Sequence, residues 1–284
     1  MRLFLLTALT MLAFAANSIL NRMALEDGTT GPAAFAAIRL ASGALCLWLL
    51  VAARGGGWRP RLDPAGAGSL ALYVLGFSFA YVSLPAGVGA LILFGGVQIT
   101  MFAGALILRE AVPVRRWAGA GLAMCGLAWL LWPAGTTAPD PLGAALMAAA
   151  ALGWGIYSLL GRGATDPLRA TAGNFVLATP LGLILFALLP DTVTAQGAVL
   201  AILSGAVTSG CGYALWYAVL PALGASRAAV AQLCVPVIAA LGGLALLGEG
   251  MSLRFILASA LVLGGVALAA LSGVKKVQKP GKAA

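Results

Sequence analysis

The chain contains no histidine and only eight acidic residues in 284. None of those acids falls in the middle of an apolar stretch; all lie in loops or at helix ends. The residues for a histidine acid–base site are missing, and so is a membrane-embedded carboxylate that would couple transport to protons. Charged residues of both signs make up 9%, against about 25% in a soluble domain, which leaves no room for a sizeable soluble domain. No GxxxxGK[ST] loop occurs, so this chain offers no site for nucleotide-driven pumping. Cys46, Cys125, Cys211 and Cys234 all lie within apolar stretches, and their spacing suits neither a zinc site nor a disulfide set. They read as small apolar fillers. Neither a cofactor nor a metal site is expected.

What is present is hydrophobic, at 62% of residues. A transmembrane β-barrel would show alternation in segments of about ten residues. Here the runs are continuous and helix-length, so the expected class is an all-α integral membrane protein in contact with the lipid bilayer. The spans read Leu3–Asn21, Pro32–Ala53, Gly66–Ser83, Pro85–Leu108 and Val114–Trp132, then Leu142–Gly161, Arg169–Leu188, Gln196–Leu220, Ala222–Gly248 and Leu253–Ser272. Pro85 and Pro221 separate pairs that hydropathy alone would fuse, because proline lacks a backbone donor and suits a helix start. Arg2, an apolar run and Ala13-Phe14-Ala15-Ala16 mimic a cleavable signal peptide. The run continues to Leu20, however, and reads as an uncleaved first span.

The chain also says nearly the same thing twice. Gly104, Leu108-Arg109-Glu110, Arg115, Leu122, Gly126 and Ala128 return 139 residues later as Gly243, Leu247-Gly248-Glu249, Arg254, Leu261, Gly265 and Ala267. Leu12, Ser18, Leu20 and Arg22 match Leu152, Ser158, Leu160 and Arg162; Phe35 matches Phe175; Leu84-Pro85 matches Leu220-Pro221. The expected organisation is a first repeat over 1–132, an external linker over 133–141, a second repeat over 142–274 and a basic cytoplasmic tail over 275–284.

Positive charge sets the orientation. With the N-terminus inside, the inner ends hold Arg2, Arg54, Arg59, Arg61, Arg109, Arg115, Arg116, Arg162, Arg169, Arg227 and the lysines of the tail; the outer ends hold only Arg22 and Arg254. Both termini are therefore expected in the cytoplasm. The net charge of +9 reports topology and not nucleic-acid binding. Lys275–Lys282 reads as a topology anchor that also suits anionic lipid. An odd number of spans per repeat inverts the second half, with Glu110 inside and Glu249 outside. Substrate sites of inverted-repeat carriers lie near the midplane between halves.

The paired Leu-x-Glu turns and the Gly-containing helices after them resemble the drug/metabolite transporter superfamily, in its ten-helix branch with two EamA-type halves. Ala151-Leu152-Gly153-Trp154-Gly155 resembles that family's Trp-Gly motif; the first half departs from it with Phe14-Ala15. The resemblance covers almost the whole chain. It implies two inverted five-helix repeats and transport by alternating access, in a bacterial inner (plasma) membrane, and says little about substrate. Within the superfamily the chain is similar to YddG-type amino-acid exporters.

The residues themselves suggest where a solute would bind. Thr10, Phe14, Asn17 and Asn21 recur at i, i+4, i+7 and i+11 and share one face of the first helix. Trp154 and Tyr157 are their repeat counterparts. Tyr73, Phe77 and Tyr81 form a stripe on the third helix, matched by Ser209, Tyr213 and Tyr217 beside Trp216. Gln98 and Met101 share a face of the fourth helix, and Gln232 lies in the ninth. The candidate substrate site is Phe14, Asn17, Phe77, Tyr81, Gln98, Met101, Trp154, Tyr157, Tyr213, Tyr217 and Gln232. Aromatics with a few amides suit a small, partly apolar zwitterion. Two bland readings compete: Tyr81 and Tyr217 as interfacial belt residues, and Asn17, Gln98 and Gln232 as interhelical hydrogen-bond partners without a ligand. Trp58, Trp117 and Trp132 read as belt or lipid-facing, and Trp48 carries no site argument. Pro236, in the middle of the ninth span, reads as a hinge or a static kink.

Arg39 is the one basic residue well inside a span, about 10 Å from its outer end. It is a functional candidate, set against snorkelling or pairing with Glu26 or Asp27; its uncharged repeat partner Thr179 favours the structural reading. The function expected is a facilitative carrier exporting amino acids or similar small metabolites, able to work as a monomer. A nucleotide-sugar or drug transporter is the rival within the class. A membrane-embedded lipid enzyme would need a convergent acid, base or metal set that this sequence does not offer.

Overall fold

The computed structural model describes residues 1–55, 63–107, 109, 112–133, 138–161 and 164–271, without the side chains of 224–227, 229 and 271. The expectations for Trp58, Arg59, Arg61, Leu108, Glu110, Arg162 and the tail over 275–284 lie outside those residues, as does the side chain of Arg227. The helices are α1 (Arg2–Leu25), α2 (Pro32–Ala53), α3 (Pro64–Ala80), α4 (Ala86–Ile107), α5 (Val114–Leu131), α6 (Pro141–Gly161), α7 (Pro167–Leu188), α8 (Ala195–Ile202), a π segment (Leu203–Cys211), α9 (Gly212–Gln232), α10 (Cys234–Leu247) and α11 (Leu253–Leu271). Among the described residues there is no strand, and eight stretches are long and apolar enough to cross a membrane. The shorter apolar α3 and the 18-residue α5, which carries Arg115 and Arg116 in its first turn, complete the set, giving an all-α integral membrane protein.

Local chemistry fixes the helix starts. Pro32, Pro64 and Pro167 open their helices, where a missing N–H costs nothing. The side chains of Asp63, Asp140, Asp166 and Thr194 accept from backbone N–H groups of the following turns at 2.6–3.1 Å. The duplicated turn has one backbone signature in both halves. Gly248 sits at φ 67° and its counterpart Arg109 at φ 55°, so arginine takes a left-handed conformation that glycine adopts without strain.

The Leu84-Pro85 corner forms as expected, between α3 and α4. The corner expected at Leu220-Pro221 does not interrupt the helix: α9 runs through Pro221 to Gln232, and the break falls at Leu233. That break places Pro236 in the first turn of α10, not in the middle of a helix. There its missing donor has no intrahelical acceptor to leave empty. The π segment, with its wider turn, has no signature in the sequence pattern.

Helix neighbours respect an exchange of halves. α2 packs on α7, α5 on α11 and α4 on α10, each pairing a helix with its own counterpart. α3 packs on α6 as α9 packs on α1, and α4 on α6 as α10 on α1. Two five-helix repeats related by a two-fold axis would give this pattern of contacts. Small residues set the closest seams: a Cβ on Gly119 or Gly265 would run into the opposing helix backbone between α5 and α11. Gly153 is held as tightly against Ser69 and Tyr73 of α3.

Candidate functional site

The buried faces of α1, α3, α6 and the π segment with α9 converge on one cluster of rings and amides. From α1, Phe14 meets Tyr213 at 5.9 Å and Trp216 at 5.7 Å. From α6, Trp154 stacks on Tyr157 at 5.5 Å and meets Tyr73 at 4.9 Å and Tyr213 at 5.0 Å. Along α3, Tyr73, Phe77 and Tyr81 follow one another at 5.4 and 4.7 Å, as their four-residue spacing dictates. Asn17 ties three elements together. Its Nδ2 donates to the Tyr73 hydroxyl at 3.3 Å, while its Oδ1 accepts from Ser204 at 2.6 Å and Thr208 at 3.1 Å. Asn21 donates to Ser204 and accepts from Ser78 at 3.1 Å.

Of the candidate residues, Phe14, Asn17, Phe77, Trp154, Tyr157 and Tyr213 belong to this cluster. Tyr81 is fully buried and donates to the Ala86 carbonyl at 3.2 Å, so it plugs the α3–α4 corner and is no belt residue. Tyr217 joins Tyr157 in lining a cavity of about 380 Å³ with Asp63, Gly161, Thr171 and Asn174. Gln98 and Met101 lie elsewhere, in a small void of about 30 Å³ between α4, α5 and α11. Gln232, half-buried at the end of α9, makes none of the hydrogen bonds of the cluster. Trp117 and Trp132 are exposed, at 52% and 66%, as expected of lipid-facing or belt residues, and Trp48 is exposed as well.

Arg39 departs most from expectation. It is 0% exposed and pairs with neither Glu26 nor Asp27. Glu26 lies 3.6 Å from Arg22, and Asp27 accepts from Thr29. Arg39 instead donates to Ser209 at 3.3 Å and to the Tyr73 hydroxyl at 3.0 Å, with its guanidinium over the rings of Tyr73 and Phe77. Its α2 position revealed depth and not company; Ser209 reaches it from the π segment, which the sequence does not announce. Thr171 and Asn174 on the cavity wall also escaped notice, because isolated polar residues on α7 show no stripe.

The two ends of the bundle differ. The cavity sits at the end carrying Asp63, Gly161 and Pro167, which charge bias places in the cytoplasm. At the opposite end the halves are tied shut. Glu249 accepts from the Ala86 amide at 2.8 Å, at the N-terminus of α4, and from Arg22 Nε at 3.2 Å. Arg22 also donates to the carbonyls of Tyr81 and Val82 at 3.1 and 2.8 Å. Burial pushes the Glu249 carboxyl above the ordinary glutamate range; the Ala86 amide and Arg22 oppose that shift without cancelling it, and Glu26 adds to it. Nearby, Asp191 accepts from Ala33 and Ala34 at 2.8 and 2.9 Å, and Thr30 bonds Thr194 at 2.9 Å.

Comparison with known proteins agrees with this architecture. An uncharacterized protein of Pseudomonas aeruginosa is 46% identical over 276 residues, covering 94% of each chain. An uncharacterized transporter of Archaeoglobus fulgidus is 33% identical over 132 residues, 44% of this chain and 47% of its own. A protein of known crystal structure superposes with a TM-score of 0.68 at 20% identity, over 97% of this chain and 99% of that one, and so shares its fold. The profile of the EamA-like transporter family matches residues 141–271. The chain, a multi-pass membrane protein, therefore belongs to the EamA-like transporter family of the drug/metabolite transporter superfamily.

Proposed function

We propose that this transporter exports amino acids or similar small metabolites across a bacterial plasma membrane by alternating access, down the substrate gradient. One observation carries the reading: a buried ring-and-amide cluster lies at the junction of the halves, with a cavity below it and a tie between the halves above it. A cavity of about 380 Å³ is at the small end of ligand pockets, which favours a solute of amino-acid size. Breaking the Arg22–Glu249 tie and closing the lower cavity would expose the cluster to the other side.

No acid is buried within a span among the described residues, so the reading is facilitative and not proton-driven. A nucleotide sugar would bring a diphosphate into a cluster whose only buried cation, among the described residues, is Arg39. Counterflow in proteoliposomes with labelled amino acids tests the reading. Saturable exchange is expected, without a lumenal pH change. Absence of exchange across the amino-acid panel refutes the substrate class, and a steady acid or alkaline shift accompanying flux refutes facilitation.

A further inference from the structure

Arg39 carries a full charge at membrane depth with no carboxylate beside it. A guanidinium has five N–H donors and no acceptor. Nε and Nη2 each donate to a neutral hydroxyl, and Nη1 has no partner. The Tyr213 hydroxyl, in the same cluster and 3% exposed, is also without a partner. Hydroxyls and ring faces solvate the cation but leave its charge uncompensated, an arrangement that is costly unless an anion completes it. The surroundings are built around this group. The π segment delivers Ser209 to it, and Gly205 packs so closely on the Arg39 carbonyl that a Cβ there would overlap it. Such wide turns recur at functional sites.

We infer that Arg39 is the anchor for a carboxylate on the transported solute, an assignment that rests on the carrier reading above. Nη1 and the Tyr213 hydroxyl supply the free donors, and the rings of Phe14, Tyr73 and Trp154 offer apolar cover to the rest of the solute. A single fixed cation balances a carboxylate. A phosphate dianion would remain half neutralised, because no second cation is buried among the described residues. Tyr157, on which Trp154 stacks, lines the lower cavity and Arg39 does not, so side chains must move for the carboxylate to reach Arg39.

The test pairs binding with transport, using purified full-length protein. The probes are L-phenylalanine, L-leucine and L-threonine, their primary amides, and glucose 6-phosphate. At least one acid is expected to raise the melting temperature of the wild type while its amide does not. In Arg39→Gln that acid binds about 10- to 100-fold more weakly, the loss expected for a charge-assisted contact. Without ligand, Arg39→Gln melts at or above the wild-type temperature, because a stranded charge has gone; an interhelical tie would give a drop. Should the variant fail to fold, the assignment is overturned unless the wild type still separates acids from amides. Equal binding of acids and amides, binding of the sugar phosphate alone, or no binding of any probe also overturns it. Exchange of acids and amides alike leaves the carrier reading intact and refutes the anchor. Acid binding without exchange does the reverse.

Discussion

Arg22→Gln should release the outer end of the bundle. Arg22 spans the gap between halves: it contacts Glu249 at 3.2 Å and donates to the carbonyls of Tyr81 and Val82. Both partners of the ion pair are largely buried, with side-chain exposures of 18% and 12%. At an effective dielectric of 20, charges 4 Å apart attract by about 4 kcal/mol, and desolvation takes back much of that. Removing the arginine alone strands a carboxylate that burial already disfavours. We take about 2 kcal/mol as the net loss, below the range for fully buried pairs because water reaches this one. That changes the ratio of closed to open outer ends about 30-fold. Glu249→Gln alone should cost less, since Arg22 keeps Glu26 at 3.6 Å and the carbonyls of Tyr81 and Val82, and the double variant should recover most of the closed state.

The assay is labelling of Ser18→Cys from the outside in a background without the four native cysteines. Ser18 is 1% exposed and lies one helical turn below Arg22. A membrane-impermeant thiol reagent should react faster in Arg22→Gln than in the parent. Acidification should reverse this. The Glu249 carboxyl has a higher pKa in the closed state than when exposed, so the closed state binds more protons and gains as pH falls. The gain is complete below the ordinary glutamate range and disappears as pH rises through the raised value. It is largest without Arg22, which otherwise holds that value down. Equal labelling in parent and Arg22→Gln, or faster labelling at low pH, would refute the argument.

Further consequences are testable separately. Trp154→Ala, which removes the ring touching Tyr73, Tyr157 and Tyr213, should lower counterflow at least about tenfold, whereas Gln232→Ala should change it less than about twofold. Gly153→Ala should lower the melting temperature by an amount corresponding to about 1–3 kcal/mol, because its Cβ would sit 2.7 Å from the Ser69 carbonyl and the Tyr73 amide; Gly264→Ala, with open space around it, is the control. Arg109→Gly should raise stability by about 1 kcal/mol, read as a higher melting temperature, by relieving a left-handed arginine. Mild oxidation should remove the Cys46 and Cys211 thiols together, since their sulfurs lie 3.8 Å apart; iodoacetamide uptake by mass spectrometry counts what remains.

Residues with a strong local cause were legible in the sequence. The duplicated turn is one: a helix must end before the glutamate, and the left-handed residue at 109 and 248 is the same physical event in two chemistries. The stripes on α1 and α3 are another, because four-residue spacing fixes which face a ring occupies before anything is known of its partner. Partners were not legible. Gln98 shares its face with Met101 as expected, but that face turns to α5 and α11. Cys46 and Cys211 looked like isolated fillers because 165 residues separate them, and only the packing of α2 on the π segment joins them. Pro221 marked a corner by the chemistry that made Pro85 one, yet the helix continues past it.

Arg39 shows why the symmetric scaffold need not hold a symmetric site. Its counterpart Thr179 spends its hydroxyl on the Phe175 carbonyl one turn back, at 2.7 Å, and offers the cluster no charge. That asymmetry argues for a structural arginine only if both halves must contribute equally. A carrier of the proposed kind would need its halves to exchange shapes, and the paired helix contacts fit that need without any identity of side chains at the centre. A small solute has no two-fold axis. If it carries one carboxylate, one cation at the junction balances it, and a second would hold it too firmly to let go. The uncharged threonine then becomes part of the case for Arg39 as an anchor. Under the same proposal Phe14 can stand where the second half has Trp154, because rings that enclose a solute without a two-fold axis need not match across the halves.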